Sequence, residues 1–310
     1  MSSWQLYQGQ GVGASAPAQL PDPPPWRRLP LTTTFLGARY RVSVDLVTAV
    51  NAALVLRRPL LLTGPPGVGK SALADSIAYE LGYGEVLRWD ISSRSELAEG
   101  IYRYDALDRL RATQQSEDAA MERFIKLGPL GTALVSKEPR VLLIDELDKG
   151  DIDLTGDLLN VLERGVYEIP ELARNETETV SVPLYDEGLV SLHRGMVQAI
   201  DFPVVVMTSN GDREFAPALL RRCIQYRFPY PTAEELASIV EAHLGSDVVE
   251  RLGDVIKTFA ERIDPDQGSQ SLAVDQLLNS LFILAGRPRL SEQERYQLLA
   301  LLQRELRAGS

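Results

Sequence analysis

The run Gly64-Pro65-Pro66-Gly67-Val68-Gly69-Lys70-Ser71 sits between two segments of opposite character. Before it, Pro59 precedes the short apolar stretch Leu60-Leu61-Leu62-Thr63, bounded at once by Gly64, which reads as a buried strand feeding a glycine turn. After it, Leu73, Ile77, Ala78 and Leu81 recur at helical spacing until Gly82, which stops the helix. A strand, a glycine turn and a helix in direct succession form half of a βαβ unit, and this constrains the rest of the fold more than any other stretch.

The run also matches G-x-x-x-x-G-K-[ST] in the structural setting where that pattern has a mechanism. Glycines let successive backbone N–H groups converge on phosphate oxygens, and the N-terminus of the following helix adds its dipole. Lys70 supplies a cation for β- and γ-phosphates, and Ser71 offers a hydroxyl to Mg²⁺. Gly64, Pro65, Pro66, Gly67, Val68, Gly69, Lys70, Ser71 and Ala72 are therefore the candidate nucleotide-binding residues. The alternative, a glycine-rich turn that binds nothing, weakens with each further motif that belongs to the same chemistry.

Two such motifs follow. Val141-Leu142-Leu143-Ile144 is an apolar strand ending in Asp145-Glu146, and in an open α/β sheet the C-terminal strand ends face the ligand crevice. Asp145 is expected in the shell of the metal. Glu146, one residue further, reaches a water in line with the γ-phosphate and polarises it or takes its proton. Val204-Val205-Val206-Met207-Thr208-Ser209-Asn210 repeats the arrangement, with Asn210 placed to orient the attacking water. Asparagine is also a common turn former, and only the two earlier motifs favour the catalytic role.

Apolar runs at Val86–Leu87 and Tyr226–Phe228 add further strands, with intervening segments long enough for crossover helices, as in Val44–Leu56. Alternating strands and helices predict a parallel sheet covered on both faces. Beyond Pro229 and Pro231 helical periodicity takes over. Thr232 with Glu235 and Ser291 with Glu294 form capping boxes, and four helices are expected near 233–244, 247–263, 272–285 and 291–307. Pro265, Gly268, Gly286 and Pro288 mark the breaks. The first thirty or so residues are rich in Gly and Pro and read as a mobile leader. Trp4, Leu6, Tyr7 and Trp26 suggest the alternative, an arm that docks on a neighbouring subunit. The expected division is a tail over 1–34, a nucleotide-binding domain over 35–230 and a helical domain over 231–310.

Composition narrows the partners. The formal charge is -11, from 43 Asp plus Glu against 32 Lys plus Arg, so the overall field repels a phosphate backbone and makes nucleic acid a poor default partner. Cys223 is the single cysteine, which rules out an internal disulfide and a cysteine-based zinc site, and fits a reducing cytoplasm. His193 and His243 are far apart and read as surface or structural histidines. No apolar run approaches the length of a membrane span.

The phosphate loop, Asp145-Glu146, Thr208-Ser209-Asn210, Pro217-Ala218-Leu219-Leu220-Arg221-Arg222-Cys223 and the trailing helices occur in the order seen in AAA+ ATPases, which residues from about 38 to 300 resemble as one module. The implied fold is an α/β P-loop NTPase sheet flanked by helices, the AAA+ large domain, followed by a small all-α lid. Ile144-Asp145-Glu146-Leu147-Asp148-Lys149, with Leu158-Leu159-Asn160-Val161-Leu162-Glu163 after it, resembles the MoxR-like group, which includes chaperones working with von Willebrand factor A domain proteins. The resemblance implies ATP and Mg²⁺ as ligands, a homo-oligomeric ring, a hexamer in the family's usual form, and a protein client. It places an insertion in the second helix at Arg94–Leu127 and a hairpin before the sensor strand at Val166–His193, where Val180, Val182 and Leu184 alternate with polar residues. It also implies that Arg221 or Arg222 reaches the γ-phosphate of the adjacent subunit. Arg222, beside Cys223, is preferred, because a guanidinium offers planar donors to the developing charge. One departure stands out: Gly268-Ser269-Gln270-Ser271-Leu272-Ala273-Val274-Asp275 lacks the basic residue that AAA+ lids carry there, leaving Gln270, a serine, Arg287 or Arg289 as substitutes. That gap motivates a second reading, a signalling or scaffold module that nucleotide merely switches.

Overall fold

The computed structural model describes residues 19–29, 32–115, 120–174, 177–263, 272–286 and 290–303. Strands in chain order are β1 (Leu60–Thr63), β2 (Leu87–Asp90), β3 (Tyr102–Tyr104), β4 (Ile125–Leu127), β5 (Val141–Asp145), β6 (Val166–Glu168), β7 (Thr179–Pro183), β8 (Leu189–His193), β9 (Met196–Gln198), β10 (Val204–Ser209) and β11 (Ile224–Arg227). Five of them make one parallel sheet in the order β11-β1-β10-β5-β2. The apolar runs form these strands because both faces of the sheet are covered. Successive strand residues point to opposite sides. Accordingly Leu61, Leu142, Ile144, Val205 and Met207 enter one core while Leu60, Leu62, Val141, Leu143 and Val206 enter the other. Leu61, Leu62, Leu142 and Leu143 are 0% exposed, and truncating one of them to alanine costs about 2–5 kcal/mol.

Register brings the strand tips level. Thr63 pairs with Ser209 on one side and Arg227 on the other, and Asp145 pairs with Asp90. The first strand thus lies between the last two, and the turn that leaves it opens beside the end of β10. The β2 expectation shifts: the strand is Leu87–Asp90 rather than Val86–Leu87. Polar Arg88 is tolerated there because it donates to both carboxylate oxygens of buried Asp75, each at 2.6 Å. Burial pushes the Asp75 carboxyl above the usual carboxylate range, against the pull of Arg88.

Two smaller pieces stand on this frame. Within Arg94–Leu127, helices Leu97–Ile101 and Ala106–Gln114 flank β3, which pairs antiparallel with β4. The ribbon's root is part of the core, since Ile101, Ile125 and Leu127 are buried. Ahead of β10, β7 and β8 form the anticipated hairpin, with Val180, Val182 and Leu192 buried, and β6 pairs with β9. Helix Ile152–Arg164 precedes this region, started by the Asp151 side chain and ended by Gly165.

Contacts divide the chain into two compact units, one of Thr33–Gly64 with Gly69–Phe228, the other gathering Pro65–Val68 and the described residues before Thr33 and after Phe228. The second unit is helical: Ala233–Leu244, Ser246–Ile263 with a break at Leu252, Val274–Ala285 and Glu292–Leu302. Both capping boxes are made. Leu236, Val240, Phe259, Ile263, Leu277 and Leu281 form its core at no measurable exposure. Trp26 belongs to this helical unit. It packs on its own chain, donating from Nε1 to Asn279 Oδ1 at 3.1 Å and meeting His243 and Phe282 edge to face. Trp4, Leu6, Tyr7, Gly268 to Ser271, Arg287 and Arg289 lie outside the described residues. No described helix is long and apolar enough to cross a membrane.

Candidate active site

The end of β1 must turn sharply, and Gly64 allows it. Its φ is +142°, and a Cβ there would lie 2.8 Å from the Phe228 Cβ, so a side chain is excluded both by conformation and by space. Gly69, at φ +93°, carries Tyr40 at 3.0 Å from the position of a Cβ. Burial, then the neighbouring Tyr226, pushes the Tyr40 phenol up, so it stays neutral. Helix Ala72–Leu81 starts immediately after Ser71, placing the positive end of its dipole at Lys70 and Ser71. Pro65, Pro66, Gly67 and Val68 occupy the intervening loop, with Gly67 exposed at φ +75°.

Lys70 is 6% exposed and donates to Gly64 O at 2.7 Å and to Asn210 Oδ1 at 2.8 Å. Burial lowers its pKa, while Asp145, Asp148, Glu146 and Asp212 oppose the shift. Four acids around one ammonium make a site where a cation can be kept dry and charged. Ser71 Oγ donates to Asp145 Oδ1 at 2.8 Å. Thr208 joins them: its hydroxyl donates to the same Asp145 oxygen and accepts the Glu146 N–H at 2.9 Å. The Asp145 carboxylate is thereby aimed by one hydroxyl from the helix start and one from β10.

Glu146 has left-handed backbone, φ 58° and ψ 45°, a conformation that costs a non-glycine residue about 1–3 kcal/mol and concentrates at functional sites. It opens the turn Leu147–Lys149. Leu147 is 0% exposed and anchors that turn in the core. Lys149 ion-pairs with Glu146, which raises the lysine pKa, and the Glu146 side chain remains 40% exposed. The carboxylate therefore sits partly exposed on a left-handed backbone, paired with Lys149.

The three motifs converge: Lys70 and Ser71 from the loop, Asp145 at the end of β5 with Glu146 just beyond it, and Asn210 after the end of β10. Arg221 and Arg222 lie elsewhere, ahead of β11 after the short helix Pro217–Leu220. Arg221 is exposed. Arg222 ion-pairs with Glu163 and donates to Ala218 O at 3.3 Å. Cys223 beside it is buried, its thiol pushed up to about 12 by desolvation, which suits an anchor rather than a reactive group.

Sequence reasoning passed over Thr208, Asp148 and Lys149 as actors. Asp148 is 6% exposed, and its Oδ2 accepts the backbone N–H groups of Asn210, Gly211 and Asp212 at 3.0, 3.1 and 3.1 Å. The available signal was an acid two residues beyond Glu146. Charge alone does not tell a buried carboxylate from a solvated one.

Comparison with known proteins bears on these residues together. Residues 59–223 match the family model described as AAA domain (dynein-related subfamily). Among curated proteins, the peroxisomal Lon protease homolog 2 of Spinacia oleracea is 27% identical over 231 residues, covering 70% of this chain and 22% of that protein. The Arabidopsis thaliana homologue is 29% identical over 233 residues, again 70% of this chain and 22% of that one. The chain thus spans about a fifth of the length of these relatives. Among solved structures, a point mutant of Thermotoga maritima RuvB is similar with a TM-score of 0.45 at 17% identity, over 83% of this chain and 68% of that one. The family match takes in β1, the phosphate loop, Asp145-Glu146, Asn210 and the Arg221-Arg222 segment, more than half of the chain, and on it the protein belongs to the AAA domain family, dynein-related subfamily.

Proposed function

We propose that the chain hydrolyses ATP in a homo-oligomeric ring, hexameric as in MoxR-like proteins, and uses the cycle to remodel a protein partner. The observation that carries the reading is the linkage of Lys70 to Asn210 and of Ser71 to Asp145, which joins the three motifs at one edge of the sheet. These residues fit a magnesium nucleotide. Mg²⁺ is commonly held by one or two protein oxygens together with substrate phosphates and water, and the Ser71 hydroxyl with the Asp145 carboxylate is such a pair. When bound, the metal neutralises charge on the β- and γ-phosphate oxygens.

Each side chain then has a task. Lys70 binds the β- and γ-phosphates in the loop formed by Gly64 to Ala72. Glu146 takes the proton of the attacking water, Asn210 orients that water, and Thr208 holds Asp145 toward Ser71. Arg222, or Arg221 in its place, serves the site of the adjacent subunit, where it stabilises charge on the transferred phosphoryl group. A protein client is supported by the curated relatives, which are named as proteases, and by the acidic balance of the chain. A von Willebrand factor A domain partner and a cytoplasmic location belong to the same proposal.

The experiment is Glu146→Gln. Turnover should fall by about 10²–10⁴, the usual contribution of general-base catalysis, while ATP binding persists and the stalled protein retains its client. Wild-type turnover per subunit should rise with protein concentration as the ring forms. Absence of ATP binding by the assembled wild-type protein in magnesium, with partner present, overturns the reading.

A further inference from the structure

We propose that Asp148 is a positioning residue for phosphoryl transfer: its buried carboxylate ties down the turn Asn210-Gly211-Asp212 so that the Asn210 amide is presented to Lys70. The inference rests on the hydrolytic reading of the site and gives Asp148 a role that the resemblance of residues 144–149 does not itself assign.

Three successive N–H groups of a turn form a concavity that attracts an anion. Here the anion comes from the protein itself. Asp148 Oδ2 accepts from Asn210, Gly211 and Asp212 at 3.0, 3.1 and 3.1 Å. With the backbone amides occupied, the side chain of Asn210 is the group left facing the phosphate loop, and its Oδ1 accepts from Lys70 Nζ at 2.8 Å. Among the described residues, the other backbone tie on this turn is the Gly211 N–H to Ser209 Oγ at 3.0 Å, so removal of Asp148 leaves the orientation of Asn210 weakly held.

A surface turn can be capped by a neutral Ser or Asn at little cost. Asp148 instead places a full charge at 6% exposure and leaves its Oδ1 without a hydrogen-bond partner among the described residues. Burying a carboxylate with one oxygen unsatisfied is expensive, and what the structure shows in return is three hydrogen bonds to the turn carrying Asn210. The path to Asp148 is short: left-handed Glu146 reverses the chain, Leu147 locks the turn in the core, and Asp148 is delivered beneath the end of β10. One tight turn thus supplies the general base and the support for the group facing it.

The test is a double-mutant cycle in the full chain. Asp148→Ala should lower kcat on the order of 100-fold, the scale of a misplaced catalytic group, and change ATP affinity by no more than about threefold. In an Asn210→Ala background the same change should cost no more than about twofold, because residues acting as a unit are not additive. Unchanged kcat in Asp148→Ala, or losses that multiply in the double variant, overturns the proposal. Should thermal unfolding show that the alanine variant does not fold, Asp148→Asn, which keeps one carbonyl acceptor, carries the cycle. Amide hydrogen exchange at residues 210–212 separates this inference from the one beneath it. Faster exchange in Asp148→Ala with an inactive wild type removes the hydrolytic reading and keeps the anchor, whereas exchange at the wild-type rate removes the anchor alone.

Discussion

At the tips of β1, β5 and β10 the polar groups answer one another, whereas ahead of β11 they face outward. Lys70, Ser71, Asp145, Thr208 and Asn210 share hydrogen bonds within a single chain. Arg221 is exposed, and Arg222 is held by a surface pair in which Arg222 and Glu163 are 33% and 47% exposed. The closed cluster is organised by folding. The open corner has side chains whose local contacts are worth little, in keeping with the proposed role across a subunit boundary.

Arg222→Ala tests the open side most severely. Turnover should drop by about 10³ or more, as for arginine fingers elsewhere, with unfolding temperature and ATP binding nearly unchanged. Mixing it with Glu146→Gln protein should restore part of the activity, since the first keeps an intact cluster and the second an intact arginine. No loss in the single variant, or no recovery in the mixture, breaks the contrast.

A second ion pair in the same unit sharpens it. Arg88 pairs with Asp75, whose side chain is 1% exposed while that of Arg88 is 37% exposed. Arg88→Ala should destabilise by about 2 kcal/mol in denaturant melts, less than for a fully enclosed pair because Arg88 is partly solvated. Burial already raises the folded-state pKa of Asp75 above that of a free aspartate, so folding binds the proton. The Asp75 contribution to stability is therefore greatest below the unfolded pKa and is lost as pH rises through the raised folded value. The variant should recover stability on acidification across that window more than the wild type does.

Thr208→Val probes the closed cluster itself. It removes a hydroxyl at 1% exposure that serves both Asp145 and Glu146, and should lower stability by about 1–3 kcal/mol. An unchanged denaturation midpoint would mean that the cluster is not tied together as drawn. Glu163→Gln should do least, under about 1 kcal/mol in the same melts, and its turnover should remain near wild type.

The helical unit adds a different lesson about legibility. Thr232 with Glu235 and Ser291 with Glu294 were readable because a capping box is a local pattern four residues long. The placement of Trp26 was not, because its partners His243, Asn279 and Phe282 come from two helices far along the chain. β2 was misjudged for a related reason. Arg88 looks unfit for a strand until the buried acid that it meets on helix Ala72–Leu81 is known.

From sequence alone came the strand, glycine turn and helix around Lys70, the acidic end of β5 and the amide after β10, since each is set by nearest neighbours, glycine conformation and apolar spacing. Which partner each acid meets was decided by tertiary structure. Asp145, Glu146 and Asp148 differ little as sequence, but the level tips of parallel strands and one left-handed residue send the first to Ser71, the second to Lys149 and the third beneath Asn210. Burial separates their roles, because it makes each unpartnered charge costly and so admits a carboxylate only where specific donors meet it.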